Sequence, residues 1–224
     1  MAQAPSQRTR VRRAPSRADY ERSTIDAILD EGLVAHLGFA VDGQPYVIPT
    51  LHARVGDVVY VHGSAASRLV RALAAGTLAC LTVTVLDGIV LARSAFHHSM
   101  NYRSVVVLGE ARLVSEPEEL MNALRAFTEH IVPGRWDEVR EPNAQELKGT
   151  RVLAMTLDEA SAKLRTGPPV DDEEDYALDV WAGVIPLTLT ASEPADDPRM
   201  AAGLAPSITV RGWNPQRLAG GASP

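Results

Sequence analysis

Short runs of apolar residues, several of them alternating with polar ones, dominate the first two thirds of the chain and predict β-strands. Strands are expected at residues 33–40, 45–53, 58–61, 78–86, 89–92, 102–114 and 151–164. Tight turns are expected between neighbouring runs at Asp42-Gly43, Gly56-Asp57 and Asp87-Gly88. Because these hairpins leave no room for crossover helices, the sequence predicts a mainly β fold with an antiparallel sheet, closed as a barrel or packed as a sandwich.

Helical periodicity appears between the strands and predicts a few flanking helices. Four helices are expected. The first begins at a Ser23 or Thr24 cap and stops at Gly32, and the second covers 65–75 after a Ser64 cap. The third opens at Pro117, and the fourth covers 143–148. This pattern divides the chain into three parts. Residues 1–22 form a basic N-terminal arm, 23–186 the folded domain, and 187–224 an extended C-terminal tail.

Composition excludes several classes of protein. The 224 residues are 46% hydrophobic, enough for a sizeable core, and the net charge of −6 argues against nucleic acid as the main partner. No apolar run approaches the length of a membrane span, and no apolar stretch of a secretion signal follows the basic start. The single cysteine, Cys80, cannot form an internal disulfide. A soluble, cytoplasmic protein is therefore expected.

The richest polar segment is Ser94-Ala-Phe-His-His-Ser-Met-Asn-Tyr-Arg-Ser104, which runs directly into the apolar strand 105–108. The packing of a buried strand does not require imidazole, hydroxyl, amide, phenol and guanidinium side chains together at its start. Arg103 and the hydroxyls of Ser99 and Ser104 suit a phosphate, since a guanidinium can grip two oxygens at once. The alternative is an ordinary polar loop entering a strand.

A second segment suited to an anion is Val61-His-Gly-Ser-Ala-Ala-Ser-Arg68, where a predicted strand gives way to a helix. The N–H groups at a helix start are free to bind an anion, and Ser67 and Arg68 add a hydroxyl and a charge. An ordinary capped helix with a solvated arginine is the simpler alternative. Together the two segments predict a phosphorylated, nucleotide-like cofactor.

Other chemistries find little support. His97 and His98 are adjacent, so on a strand they would point to opposite faces and would not chelate a metal together. We therefore predict no metal site. No Gly-x-Ser-x-Gly nucleophile motif occurs, and no pair of acidic residues can be placed in one pocket.

In combination, these segments resemble the pyridoxamine 5′-phosphate oxidase-related, flavin-nucleotide-binding family, and most closely its nitroimidazole-resistance-like branch. The resemblance spans roughly residues 8–186. It rests on the segments 45–50, 61–64 with Ser67-Arg68, 87–93, 97–104, 161–163 and 181–186. The sequence lacks the substrate-phosphate signature and the C-terminal arginine motif of true pyridoxamine phosphate oxidases, so vitamin B6 oxidation is not expected.

The resemblance implies a six-stranded antiparallel split β-barrel of the FMN-binding type. It also implies a homodimer with two FMN sites, each built across the subunit interface. By position in the family, the flavin ring, ribityl chain and phosphate would be contacted by Pro49, Thr50, His62, Ser64, Ser67, Arg68, Ser94, Ser99, Asn101, Tyr102, Arg103 and Ser104.

The function implied is that of an FMN-dependent oxidoreductase acting on a small-molecule substrate or electron donor. The flavin would carry the chemistry, and the protein would position it. His98 and Tyr102 are the candidate catalytic residues, because either could supply a proton. Three alternatives stay open: a flavin storage or sensing module, a haem-binding split barrel with His62 or His98 as axial ligand, and a deazaflavin in place of FMN.

Overall fold

The computed structural model describes residues 2–201 and 203–215. The strands are β1 (Ala18–Asp19), β2 (Ala35–Val41), β3 (Gln44–Thr50), β4 (His52–Val55), β5 (Val58–Ser64), β6 (Leu78–Leu91), β7 (Ser99–Glu110), β8 (Arg112–Leu113), β9 (Thr150–Thr156), β10 (Ala160–Arg165) and β11 (Gly183–Pro186). The helices are α1 (Arg22–Glu31), α2 (Arg68–Ala74), α3 (Pro117–Ile131), α4 (Ala144–Gly149) and α5 (Ile208–Arg211).

The strands form two antiparallel sheets, which confirms the predicted mainly β class. The larger sheet has the order β1-β10-β7-β6-β2-β3, with β11 paired to the far half of β6, and the smaller has the order β4-β5-β9-β8. The main core lies between the sheets, where Leu37, Leu81 and Val105 of the larger sheet meet Val61 and Leu153 of the smaller one. Burial of these aliphatic side chains holds the two sheets together.

Three of the predicted strands are each divided into two. The run 45–53 breaks between β3 and β4, the run 102–114 between β7 and β8, and the run 151–164 between β9 and β10. In every case the chain leaves one sheet and enters the other at the break. The apolar pattern did not reveal these crossings, because apolar residues resume directly after each break. This sharing of chain between two sheets is what a split barrel requires.

The tight turn at Asp42-Gly43 is confirmed. Both residues have positive φ angles, 51° and 77°, as a two-residue hairpin of type I′ requires. β2 and β3 pair in register on either side of it, from Val41 opposite Gln44 onward. The turn residues therefore set the register of this hairpin.

The hairpin expected at Asp87-Gly88 is wrong. β6 runs without reversal from Leu78 to Leu91, with a bulge between Leu86 and Gly88. A Cβ atom at position 88 would lie 3.0 Å from the carbonyl oxygen of Ile185 in β11. The glycine is thus explained by the close approach of another strand rather than by a turn.

The predicted helices exist, although two begin elsewhere. α1 begins at Arg22, and Thr24 donates its hydroxyl to Asp19 over 2.7 Å instead of capping the helix. α2 begins at Arg68, and its cap is Ser67, whose hydroxyl accepts the N–H of Val70. α3 opens at Pro117 as predicted, and α4 follows Asn143 in a full capping box.

The described parts of both terminal segments contact the domain. In the N-terminal segment, β1 pairs with β10. In the C-terminal segment, the Trp213 indole donates to the carbonyl of Ile131 over 2.5 Å, and Ser207 donates to Glu138 over 2.8 Å. The last part of the predicted tail, 216–224, lies outside the described residues. No helix within the described ranges is both long and apolar enough to cross a membrane.

Candidate functional site

The end of β5 and the start of α2 bring together four of the predicted site residues. His62 and Ser64 end the strand, and Ser67 and Arg68 begin the helix. Ser64 accepts the N–H of Ala66 over 3.3 Å, so it supports the connecting turn. His62 is half-buried with its ring edge-on to another ring, and burial lowers its pKa, which favours the neutral imidazole.

Arg68 carries a charge without an acidic partner among the residues that the structure describes. Its guanidinium lies 4.5 Å from the centroid of the Tyr46 ring, and Tyr46 in turn stacks on Phe39 at 5.6 Å. A cation held on an aromatic face keeps its outward N–H groups available. This junction is therefore able to take an anion such as a phosphate.

Arg103 is placed differently, because two carboxylates already hold its guanidinium. Arg103 Nη2 donates to Glu31 Oε1 and to Asp87 Oδ1, each over 2.7 Å, and Nε donates to Asp87 Oδ2 over 3.0 Å. These carboxylates raise the pKa of Arg103 further above its ordinary value. A cavity of about 590 Å³ opens beside them. The neighbouring Ser104 donates its hydroxyl to the carbonyl of Lys163 over 3.3 Å.

The structure does not bring the two predicted phosphate-binding segments together within one chain. Tyr46 lies under Arg68 and pairs with Phe39 of β2, which on its other side pairs with Ala79 of β6. Arg103 of β7 pairs with Val85, which lies six residues further along β6. Six residues of extended strand span about 20 Å. One phosphate could therefore contact both arginines only if they came from different subunits.

The predicted site residues of the segment 94–101 are held by a later segment, 165–172. The backbone N–H groups of Arg93 and Ser94 donate to Asp171 Oδ1 over 3.0 and 3.3 Å. Asn101 is buried, accepts a hydrogen bond from Arg165 and donates to the carbonyl of Gly167 over 3.1 Å. These contacts attach residues 93–101 to the segment 165–172.

The remaining predicted residues lie on the larger sheet. Pro49 and Thr50 end β3, opposite His36 and Ala35 of β2. Ser99 lies opposite Val90, and Tyr102 opposite Leu86 and Arg165. The backbone position that the family resemblance implies for Pro49 and Thr50 is thus at an edge strand, far along the sheet from Ser99 and Tyr102.

His98 has the geometry of a prepared ligand. Its Nδ1 lies 3.0 Å from the carbonyl oxygen of Ser94, and since a carbonyl can only accept, Nδ1 carries the proton. Nε2 is then the nitrogen left for a ligand on this exposed ring, and the large side chains two positions before and after it, Phe96 and Met100, are exposed as well. A backbone hydrogen bond of this kind orients many metal-binding histidines.

His97 acquires acidic neighbours that its place in the sequence did not reveal. Its Nε2 lies 3.3 Å from Asp172 Oδ2. Asp175 lies close enough that one ligand atom from each of the three residues falls within 4.8 Å of the others. These acidic residues belong to the run 171–175, whose sequence shows only a cluster of negative charge.

Sequence reasoning also missed two buried groups. Arg165 and Ser161 of β10 are each 7% exposed, although polar residues alternating along a strand are typical of a solvated face. The rings of His52 and His130 lie beneath α1 with centroids 4.9 Å apart and planes tilted by 56°, and neither position carried a signal in the sequence. Tertiary packing alone buries these side chains.

Comparison with known proteins shows the family of the chain. The family model described as pyridoxamine 5′-phosphate oxidase matches residues 21–164, well over half of the chain. The chain belongs to this family. It shares the fold of a putative 5-nitroimidazole antibiotic resistance protein from Bacteroides thetaiotaomicron, with a TM-score of 0.55 at 19% identity over 65% of this chain and 85% of that one. The predicted split barrel is confirmed.

Two solved structures in this family are much more similar. The flavocytochrome Anf3 from Azotobacter vinelandii is 44% identical, with a TM-score of 0.88 over 93% of this chain and 97% of that one. The FAD and haem binding protein from Mycobacterium smegmatis is 38% identical, with a TM-score of 0.85 over 88% of this chain and 97% of that one. A comparison with curated protein sequences gave no match.

Proposed function

We propose that this protein is a redox protein that binds a flavin and a haem. The observation that carries the proposal is the similarity, along almost the whole chain, to a flavocytochrome and to a protein that binds FAD and haem. The haem, an alternative on sequence grounds, now becomes part of the main proposal. When bound, a flavin exchanges hydride or single electrons and a haem exchanges single electrons; the protein positions both.

For the flavin phosphate, the residues that fit best are Ser64, Ser67 and Arg68. Support comes from the position of the Arg68 guanidinium on the Tyr46 ring and from the lack of an acidic partner for it within 2–201 and 203–215. Arg103 and Ser104 would reach the same cofactor from the second subunit of a homodimer. The sequence predicted FMN; the similarity to a protein that binds FAD favours the dinucleotide.

For the haem iron, the ligand we propose is His98. Its Nδ1–H is held by the carbonyl of Ser94, so Nε2 is free to donate its lone pair. Phe96, 89% exposed, and Met100, 50% exposed, supply apolar surface of the kind that a porphyrin face would cover. His62, half-buried and with its pKa lowered by burial, is the second candidate.

The reaction that we propose is oxidation or reduction of a small molecule, with the electrons passing through the flavin. His98 and Tyr102 were the sequence candidates for supplying a proton. If His98 binds iron, its lone pair is engaged and the proton falls to Tyr102. A module that stores or senses flavin is the alternative, and reduction by NADH or NADPH in a stopped-flow instrument would separate the two.

The cofactor assignment is tested by the variant His98→Ala, with His97→Ala as the matched control. We expect His98→Ala to purify with its flavin but with haem content reduced at least tenfold, because the side chain that would bind the iron is removed. His97→Ala should keep both cofactors. Extraction and mass measurement of the flavin decide between FMN and FAD. Haem retained at full occupancy in His98→Ala would move the assignment to His62.

A further inference from the structure

Three side chains that are able to bind a metal ion meet beside the loop that carries His98. His97 Nε2 lies 3.3 Å from Asp172 Oδ2, and one ligand atom each from His97, Asp172 and Asp175 lie within 4.8 Å of one another. His98 does not belong to this group, because its Nδ1 is held 3.0 Å from the carbonyl oxygen of Ser94. The group is therefore separate from the proposed haem ligand.

Other contacts hold the two contributing segments together. The Asp171 carboxylate is fully buried and accepts the backbone N–H groups of Arg93 and Ser94 over 3.0 and 3.3 Å. The Arg93 guanidinium donates to the same carboxylate over 3.1 Å and lies 4.9 Å from the centroid of the Tyr176 ring. These contacts join the segments whether or not an ion is bound.

The three side chains project from two short 3₁₀ helices that this attachment brings side by side. His97 ends the helix Ala95–His97, and Asp175 lies within the helix Glu173–Ala177. Asp172 directly precedes the second helix, and its carboxylate makes no capping hydrogen bond there. Because the backbone is already positioned, an ion would not have to order the chain in order to bind.

The group lies in the longest run of acidic residues in the chain, 171–175. Asp171 is paired with Arg93. Within 2–201 and 203–215, none of the other four acidic residues of this run pairs with a lysine or an arginine, and Asp172 reaches His97 alone. Four carboxylates around one imidazole produce a negative potential that a divalent cation would neutralise.

The separation of His97 and Asp172 fits a shared ion better than a shared proton. A charge-assisted hydrogen bond between nitrogen and oxygen normally measures about 2.7–2.9 Å. Two ligand atoms bound to a tetrahedral ion at about 2.0–2.1 Å lie about 3.3 Å apart, which is the separation observed. A turn of the half-buried Asp175 carboxylate about its side-chain bonds would bring a third ligand to the same ion.

We propose that His97, Asp172 and Asp175 bind one zinc ion, with water in the fourth position. An imidazole ligand argues against magnesium and calcium, which prefer oxygen ligands alone, and copper and nickel favour ligands in one plane. Three protein ligands and one open position suit zinc. The site departs from the sequence-based expectation of no metal, because the partners of His97 lie 75 or more positions away.

The experiment uses the full chain without a histidine tag, freed of metal with a chelator, dialysed and titrated with zinc chloride in a calorimeter. Asp175→Asn removes the charge of one ligand. Glu174→Gln is its matched control, since it removes the same charge from the same helix at a residue outside the group. His97→Ala and His98→Ala form a second matched pair, two adjacent imidazoles of which one belongs to the group.

We expect the parent to bind one zinc ion per chain, and Asp175→Asn and His97→Ala each to lose at least tenfold in affinity. Glu174→Gln and His98→Ala should stay within threefold of the parent, and calcium should bind at least tenfold more weakly than zinc. Saturating zinc should raise the melting temperature of the parent and not that of Asp175→Asn. Equal melting temperatures in chelator would show that the variant is folded.

Equal zinc affinity in Asp175→Asn and Glu174→Gln would overturn the inference and leave His97 and Asp172 as an ordinary ion pair. So would zinc binding that depends on His98 rather than on His97, calcium bound as tightly as zinc, or a parent that binds no zinc at millimolar concentration. The proposed function fails separately: zinc bound by this group in a protein without flavin or haem would refute that function alone.

Discussion

Arg68 and Arg103 look equivalent in the sequence, since each follows a serine-containing, strand-associated segment suited to phosphate. Their surroundings in the fold separate them. Arg68 lies on an aromatic ring and is exposed, whereas Arg103 lies between Glu31 and Asp87 with 28% of its side chain exposed. The type of residue could be predicted, but the identity of its partners depends on which strands come together.

This difference predicts two distinct effects of substitution by alanine. Arg68→Ala should weaken flavin binding at least tenfold and leave the stability of the cofactor-free protein within about 0.5 kcal/mol. Arg103→Ala should lower the free energy of unfolding by roughly 1–3 kcal/mol, because it leaves Glu31 and Asp87 half-buried without a partner. Urea titration of cofactor-free protein and equilibrium binding of flavin measure the two effects. An Arg103→Ala protein as stable as its parent would show that the two ion pairs contribute nothing.

His52 is a second residue whose role follows from burial. It is fully buried, its Nε2–H donates to the carbonyl of Leu29 over 2.9 Å, and Nδ1 has no partner in the part of the chain that the structure describes. Burial, with the neighbouring His130 second, lowers the pKa of His52 from 6.5 to about 4. The fold therefore holds this imidazole neutral.

Acid should destabilise the protein through this group. Between pH 6.5 and 4 the unfolded chain binds a proton at His52 and the folded chain does not, so stability falls as the pH falls, by about 3 kcal/mol over the whole range. The variant His52→Gln can keep the bond to Leu29 and does not titrate. On going from pH 7.5 to 5, it should lose about 2 kcal/mol less than the parent in urea unfolding. Equal losses would mean that His52 is protonated in the fold.

Among the larger elements, prediction succeeded where the signal was local. Asp42-Gly43 forms its turn because both residues can adopt positive φ angles whatever lies around them. Asp87-Gly88 carries the same signal, but β11 pairs with the far half of β6 and keeps the strand extended. No feature near position 87 in the sequence indicates that a strand almost a hundred residues later, β11, pairs there. The loop 94–101 was likewise found by its polar residues, whereas its attachment to Asp171 was not.

The hairpin turn allows a clean test of backbone conformation. A Cβ atom at Gly43 would have no neighbour within 4 Å, so Gly43→Ala costs only the strain of a positive φ, roughly 1 kcal/mol. Gly149 is the matched control, because its surroundings are equally open and its φ is not positive. Gly149→Ala should leave the urea midpoint unchanged or raise it. If both variants shifted the midpoint equally, the positive φ at Gly43 would not be the cause.

At the scale of the whole molecule, exposed apolar side chains point to a second subunit. Val47, Phe96 and Trp181 are 68%, 89% and 66% exposed. The distance between Arg68 and Arg103 also requires two chains if both are to hold one cofactor. A two-fold symmetric dimer is the commonest way to cover such surfaces.

Light scattering should therefore give about twice the chain mass of 24.1 kDa, and loss of cofactor should lower the melting temperature by mass action. A monomer that keeps its flavin at micromolar concentration would refute a site shared between subunits.

The central claim, that one chain of this family binds both a flavin and a haem, is tested most directly by the absorption spectrum of protein purified without added cofactor. The account predicts the two absorption bands of an oxidised flavin together with an intense Soret band, with the haem bands sharpening on reduction. Flavin bands without a Soret band would refute the haem. A spectrum with neither, from protein that stays folded and takes up neither cofactor when supplied, would contradict the account as a whole.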